Sequence, residues 1–179
     1  MQIENKNLEI PFDKIVEPQK TQLKEWCKYY DFKEHKRLPL LEKELKEMSQ
    51  HNIDEWLKAL PKLELLNTYI RGQFSYDIKE NINSSFRTKE RNKKANGKST
   101  SLHYTGFAID IQLDGFTCES IIRRMIEFPT PNEELILNKA GFYYIFYKEK
   151  NTTEGKNNFF HIQISPFADE SKRFAIEIK

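Results

Sequence analysis

Apolar residues in the first seventy positions of the chain recur at the spacing of an amphipathic helix. The positions follow i, i+3, i+4 and i+7, which places their side chains on one helix face. One such stripe contains Leu23, Trp26, Cys27 and Tyr30, and the next contains Leu41, Leu45 and Met48.

A third helical stripe begins near Asn52. Asn52 is a favourable N-cap residue and Glu55 follows three residues later, the spacing of a capping box. We expect Pro61 to end this helix, since proline removes a backbone donor. Residues 66–70 then indicate one further helical segment.

The pattern changes after Arg71, where apolar and polar residues begin to alternate. Residues 82–86 and 107–113 alternate as half-buried strands do, and residues 88–95 between them have a helical pattern. Asn96-Gly97 predicts a break directly after that helix.

Two more helices and a hairpin are predicted in the last third of the chain. Thr117 and Asn132 are suitable N-caps. The aromatic and β-branched runs 142–147 and 159–164 predict a hairpin with a long polar loop. Helices followed by strands with short helices between them indicate an α+β fold with a mainly antiparallel sheet.

Composition narrows the class of protein. The 179 residues carry a net charge of +2, too small to select a polyanionic partner, and the aromatic fraction of 13% is sufficient for a real core. Cys27 and Cys118 form no disulfide framework and are expected to be small buried residues. The start of the chain lacks a secretory pattern and no apolar run could span a bilayer, so we expect a soluble protein made in the cytoplasm.

Two of the four histidines lie in sequence contexts that suggest chemistry. His35 and His51 lie in Lys- and Glu-rich stretches and are expected on the surface. His103 precedes the strand that contains Asp110, and His161 lies within an aromatic strand.

Two interpretations of His103, Asp110 and His161 follow from the residues alone. Two imidazoles and one carboxylate form the ligand set of a catalytic zinc site that keeps one position open. Gly106 allows a tight backbone turn between His103 and Asp110, and Ala108 leaves space beside them. The alternative is a pair of core histidines with a hydrogen-bonded carboxylate nearby.

The segment Ser101-x-His103-x-x-Gly106-x-Ala108-x-Asp110 resembles the Ser-x-His-x-x-Gly-x-Ala-x-Asp signature of the zinc D-alanyl-D-alanine peptidases. Residues 83–92 are similar to that family's Ser-Gly-Tyr-Arg-Ser segment, and residues 141–162 resemble its last block. The resemblance covers residues 62–166. It implies the α+β fold shared with the hedgehog signalling domain, a peptidase domain over residues 62–179, and residues 1–61 as an additional N-terminal helical extension.

The resemblance also implies roles for individual residues. His103, Asp110 and His161 would hold one zinc ion per chain, and Arg87 would polarise the scissile carbonyl and stabilise the oxyanion. Ser101 would order the ligand loop or contact substrate. The implied partner is a peptidoglycan stem peptide, and the implied reaction is hydrolysis of one of its amide bonds, by a carboxypeptidase or an endopeptidase.

One departure from the family pattern concerns the general base. Relatives often carry a carboxylate three residues before the last histidine or an Asp two residues after it, where this chain has Asn158 and Gln163. Neither residue can accept a proton, so Glu149, Glu154 or Asp114 would have to supply the base. Otherwise the chain is a slow enzyme or a catalytically impaired peptidoglycan-binding module.

The remaining expectations concern partners and setting. The basic run 87–98 is interpreted as a solvated helix face, because aromatic residues do not interleave with its cations. We therefore expect no nucleic acid partner and no membrane partner, and we expect a monomer. Without a secretory pattern, the chain would reach the cell wall by phage lysis, as part of a phage particle, or by an export route that the sequence does not show.

Overall fold

The structure is a computed structural model that describes residues 12–112, 130–131, 144–152, 155–164 and 174–178. Two short 3-10 helices cover Phe12–Lys14 and Lys79–Asn81. The α-helices are α1 (Gln19–Trp26), α2 (Glu42–Leu45), α3 (Gln50–Phe74), α4 (Lys89–Lys94) and α5 (Leu102–Thr105). The strands are β1 (Lys28–Asp31), β2 (Lys36–Pro39), β3 (Ile82–Ser84), β4 (Phe107–Gln112), β5 (Tyr144–Thr152), β6 (Gly155–Ile164) and β7 (Phe174–Ile178).

The strands form one seven-stranded sheet in the order β2-β1-β3-β4-β6-β5-β7. Every pairing is antiparallel except that of β5 with β7, which is parallel. The predicted α+β class with a mainly antiparallel sheet is therefore confirmed. Among the described residues, no helix combines the length and the apolar character needed to cross a membrane.

The core lies between α3 and the sheet. Trp56 of α3 packs edge-on against Phe107 of β4, with 4.7 Å between the ring centroids, and both side chains are fully buried. Burial of an aromatic side chain of this size contributes about 1.5–3 kcal/mol to the free energy of unfolding. This contact holds α3 close to the strand that carries Asp110.

A β-hairpin replaces part of the helix predicted from the first apolar stripe. Helix α1 ends at Trp26, and Tyr30, expected on its face, instead pairs with Arg37 across β1 and β2. The turn explains the difference, because the Asp31 carboxylate accepts hydrogen bonds from the main-chain N–H groups of residues 33 and 34. His35 completes the turn with a φ of 50°.

Pro61 does not end a helix as predicted. Helix α3 is continuous over 25 residues with Pro61 inside it, and its N-cap is Ser49 rather than Asn52. Leu60 and Leu63 on either side of the proline are buried in one core, and this packing outweighs a cost of about 3 kcal/mol for an interior proline. The boundary predicted after residue 61 falls within α3; the division into two domains stays a prediction.

The predicted strands and α4 are present, but the loop of the last hairpin is not long. Strands β5 and β6 pair continuously up to Thr152 and Gly155, so residues 148–152 and 155–158, which were expected to form the loop, lie in the strands. The break at Asn96-Gly97 is confirmed, since Asn96 has a φ of 50°. The helices predicted from Thr117 and Asn132 lie outside the described residues.

Candidate metal centre

The sheet register places two of the predicted site residues side by side. Asp110 of β4 pairs with His161 of β6, and on its other side Asp110 pairs with Ser84 of β3. Strand order alone therefore brings together residues that are up to 77 positions apart in the sequence.

Helix α5 brings His103 to the same place, directly before β4. The main-chain carbonyl of Ser101, at the N-cap position, accepts hydrogen bonds from the N–H groups of Tyr104 and Thr105. From α3, the Asn52 side chain donates to the carbonyls of Tyr104 and Gly106, at 3.2 and 3.0 Å. The turn that carries His103 is thus tied to the core helix.

The three side chains converge on one point. Nε2 of His103 lies 3.2 Å from Oδ2 of Asp110, and Nδ1 of His161 lies 2.5 Å from Oδ1 of the same carboxylate. One ligand atom from each residue lies within 4.8 Å of the other two, a separation that a single metal ion can bridge. Both histidines are buried.

Each imidazole in this cluster has oxygen acceptors on both sides. The outer nitrogen of His103, Nδ1, lies 2.9 Å from the Ser85 carbonyl oxygen. The outer nitrogen of His161, Nε2, lies 2.9 Å from Oε1 of Gln163. A neutral imidazole has only one N–H, so it can donate to the outer acceptor or to Asp110, but not to both.

A divalent cation would satisfy both rings at once. His103, His161 and Asp110 would hold it, and each outer ring N–H would then donate to its own oxygen, as is usual for metal-bound histidines. Without a cation, both rings would have to be protonated to imidazolium in order to donate to the oxygens on both of their sides. Burial opposes two such positive charges beside the Arg87 guanidinium. The donor set of two nitrogens and one hard oxygen, without sulfur, fits zinc.

The electrostatics of the cluster keep His103 and Asp110 in the protonation states that metal binding needs. Burial lowers the pKa of His103, although Asp110 opposes that shift. Burial would raise the pKa of Asp110, but the two imidazoles outweigh it and hold this pKa well below its usual range. At neutral pH, His103 is therefore neutral and Asp110 ionised, as metal ligation requires.

Arg87 lies at the edge of the cluster and not on a solvated face. Its Nε donates to Ser84 Oγ at 2.8 Å, its Nη2 lies 3.5 Å from Asp110 Oδ2, and its side chain is only 18% exposed. Its main-chain N–H donates to the carbonyl of His103 at 2.6 Å. Burial lowers the pKa of Arg87, with Asp110 opposing, yet a guanidinium stays charged at physiological pH.

Comparison with known proteins identifies the family of the chain. The model of the family described as Peptidase M15 matches residues 40–145, which is more than half of the chain. The chain belongs to the Peptidase M15 family. This family consists of zinc-dependent peptidases, and the match includes His103 and Asp110 but ends before His161. No curated protein and no solved structure matches the chain.

In this M15 peptidase, the cluster of His103, Asp110 and His161 does not include the other two histidines, and the basic run 87–98 meets it at Arg87. His35 and His51 are exposed, as predicted. The run 87–98 is only partly a solvated face, because Arg91 forms an ion pair with Glu44 at 2.5 Å and its guanidinium stacks 3.6 Å from the Tyr29 ring centroid.

The cysteine prediction is tested at one of its two positions. Cys27 is fully buried, as expected, and burial raises the pKa of its thiol. Cys118 lies outside the described residues.

Three contacts of the M15 peptidase site were not predicted from the sequence. Ser84 accepts from Arg87, the Ser85 carbonyl faces His103, and the Gln163 side chain faces His161. The strand alternation at residues 82–86 was the available signal for Ser84. No sequence signal identifies a main-chain carbonyl such as that of Ser85 as a partner.

Proposed function

We propose that this M15 peptidase is a zinc enzyme that hydrolyses an amide bond in peptidoglycan stem peptides. The observation that supports the proposal is the arrangement of His103, Asp110 and His161, in which both imidazoles have their outer nitrogens next to oxygen acceptors and their inner nitrogens next to one carboxylate. We assign these three residues as the zinc ligands, with one ion per chain.

Each side chain of the site has a defined task in this proposal. A bound zinc ion would supply Lewis acidity and a water molecule of lowered pKa. Arg87 directs its charge towards the same space, held by Ser84 and Asp110, and stabilises the oxyanion that develops on the scissile carbonyl. Ser101, the N-cap residue of α5, would order the turn that carries His103 or contact the substrate.

Neither of the two positions where relatives often carry the general base, 158 and 163, has an ionisable side chain in this chain. Gln163 faces His161 but has no ionisable group, and Asn158 pairs in register with Glu149. Asp114 and Glu154, the other carboxylates considered, lie outside the described residues. A positioned base adds about 10²–10⁴-fold to the rate, so its absence would leave a slow enzyme.

This gap favours a second candidate function, a non-catalytic module that binds stem peptides in the same pocket. The neutral amide of Gln163, at a position where relatives often carry Asp, is the observation that favours it. The module would bind zinc and peptide without turnover.

The deciding experiment combines metal analysis with product analysis. Purified protein should contain about one zinc ion per chain, and His103→Ala should lose it. The exposed His51→Ala variant should keep the metal and serves as the matched control. Zinc-loaded protein is then incubated with defined stem peptides, both monomeric and cross-linked, and the products are identified by mass spectrometry.

Each product pattern has a distinct meaning. Loss of a terminal D-Ala indicates a carboxypeptidase, and separation of a cross-linked dimer indicates an endopeptidase. Zinc-dependent binding of the peptides without products supports the binding module. Wild-type protein that takes up no zinc would contradict both candidate functions.

A further inference from the structure

The Gln163 side chain has a contact that the proposed reaction does not use. Its Oε1 lies 2.9 Å from Nε2 of His161, on the side of the ring away from Asp110. Gln163 is half-buried on β6, two residues after His161, and alternation along a strand puts both on the same face of the sheet. The contact is therefore built into the strand.

We propose that Gln163 is a positioning residue that holds the His161 ring with its proton on Nε2 and its lone pair on Nδ1. A carbonyl oxygen can only accept a hydrogen bond, so a His161 ring that holds a metal through Nδ1 would donate its one N–H from Nε2 to Oε1 of Gln163. This leaves Nδ1, 2.5 Å from Asp110, as the nitrogen available to a metal. The inference rests on the metal site of the proposed function.

The other histidine of the cluster has an equivalent arrangement. The Ser85 carbonyl lies 2.9 Å from Nδ1 of His103, the same distance as the amide oxygen of Gln163 from His161. Outer hydrogen bonds of this kind fix the tautomer and the ring orientation of metal-binding histidines. For His103 the acceptor is main chain, whereas for His161 it is a side chain that a substitution can remove.

This role gives a physical reason for a neutral residue at position 163. The amide oxygen orients His161 without adding negative charge next to Asp110, which already carries the charge of the cluster. Because its oxygen is committed to the ring, Gln163 serves ligand geometry and not proton transfer.

Two substitutions separate the hydrogen bond from side-chain size. Gln163→Met keeps the length of the side chain but removes the acceptor, and Gln163→Glu keeps an acceptor oxygen. The first readout is ¹⁵N NMR of the imidazole rings in zinc-loaded protein, in which only four histidines contribute signals. We expect wild-type His161 to show a proton on Nε2 that exchanges slowly with water, because it is hydrogen-bonded.

The variants should change that signal and the zinc affinity together. In Gln163→Met the Nε2 proton should exchange rapidly, and zinc affinity, measured by competition with a chromophoric chelator, should fall about 10–100-fold. Gln163→Glu should restore both the slow exchange and most of the affinity. Circular dichroism checks that each variant is folded.

The outcomes distinguish this inference from the proposed function. Zinc bound through Nε2 of wild-type His161, or unchanged zinc affinity in Gln163→Met, would overturn the role of Gln163 while leaving the zinc site intact. Wild-type protein that binds zinc through Nδ1 but cleaves no stem peptide would overturn the peptidase proposal and leave the role of Gln163 standing. Wild-type protein without zinc affinity would overturn both.

Discussion

Asn52 connects the core helix to the turn that carries His103, and its removal is the sharpest test of how the fold supports the site. Its side chain is 2% exposed. The amide nitrogen donates to the carbonyls of Tyr104 and Gly106, and the amide oxygen accepts from the main-chain N–H and the hydroxyl of Ser49. Asn52→Ala removes all of these bonds and leaves the main chain of α3 unchanged.

The expected cost follows from the groups that lose their partners. Each of the two carbonyls and the Ser49 N–H loses a hydrogen bond with a net value of about 1 kcal/mol. The free energy of unfolding should therefore fall by about 3 kcal/mol, a large part of the total of about 5–15 kcal/mol for a typical domain. His51→Ala, on the exposed side of the same helical turn, should change stability by no more than about 0.5 kcal/mol.

The assay is urea unfolding followed by circular dichroism, in the presence of a chelator so that metal binding does not contribute to stability. The free energy of unfolding of a small protein falls by about 1–3 kcal/mol for each molar increase in urea. Asn52→Ala should therefore lower the urea concentration at the unfolding midpoint by about 1–3 M. A fall of less than about 1 kcal/mol in the free energy of unfolding would show that water replaces the hydrogen bonds of the amide. It would also show that α3 does not hold the His103 turn through Asn52.

Three further predictions concern the ion pair between Glu44 of α2 and Arg91 of α4, the oxyanion and the metal. Burial would raise the pKa of Glu44, but the hydrogen bonds from Arg91 and the Leu41 N–H, together with the charge of Arg91, outweigh burial and lower the folded-state pKa. The stabilisation is then complete above the unfolded-state pKa of about 4.3. Glu44→Gln should cost about 1–2 kcal/mol in urea titrations at pH 7, and the difference should shrink as the pH falls below about 4; a constant difference would contradict the ion pair. Arg87→Lys should keep its zinc but lose about 10²–10³-fold in peptide turnover, and unchanged turnover would refute the oxyanion role. Zinc at 100 times its Kd should raise the wild-type Tm by about 5–10 °C in a thermal melt, and an equal rise in His103→Ala would place the metal elsewhere.

The sequence predicted those parts of the fold in which local patterns agree with the tertiary structure. The alternation at residues 107–113 matches β4, since one face of that strand packs against α3. The prediction of a helix that continues through Tyr30 was wrong, because the turn formed by Asp31 and the pairing of β1 with β2 compete with helix continuation. The prediction that Pro61 ends a helix was wrong for a similar reason, because core packing on both sides of Pro61 outweighs the local cost of a proline inside α3.

The residues of the candidate site were predicted more completely than their supports. His103, Asp110 and His161 are chemically distinctive residue types, and the structure brings all three together. Ser84 and Gln163 were not predicted as partners, because a hydroxyl or an amide becomes meaningful only when the sheet register places it beside Arg87 or His161. Register depends on long-range pairing, which no single segment of sequence encodes.

The central claim is that two imidazoles and one carboxylate hold a single divalent cation. Anomalous diffraction at the zinc edge, on crystals of zinc-loaded protein, tests it most directly. We predict one peak, at about 2.0–2.1 Å from Nε2 of His103 and Nδ1 of His161, with Asp110 as the third ligand. A peak outside this cluster, or no peak at full zinc loading, would contradict the account.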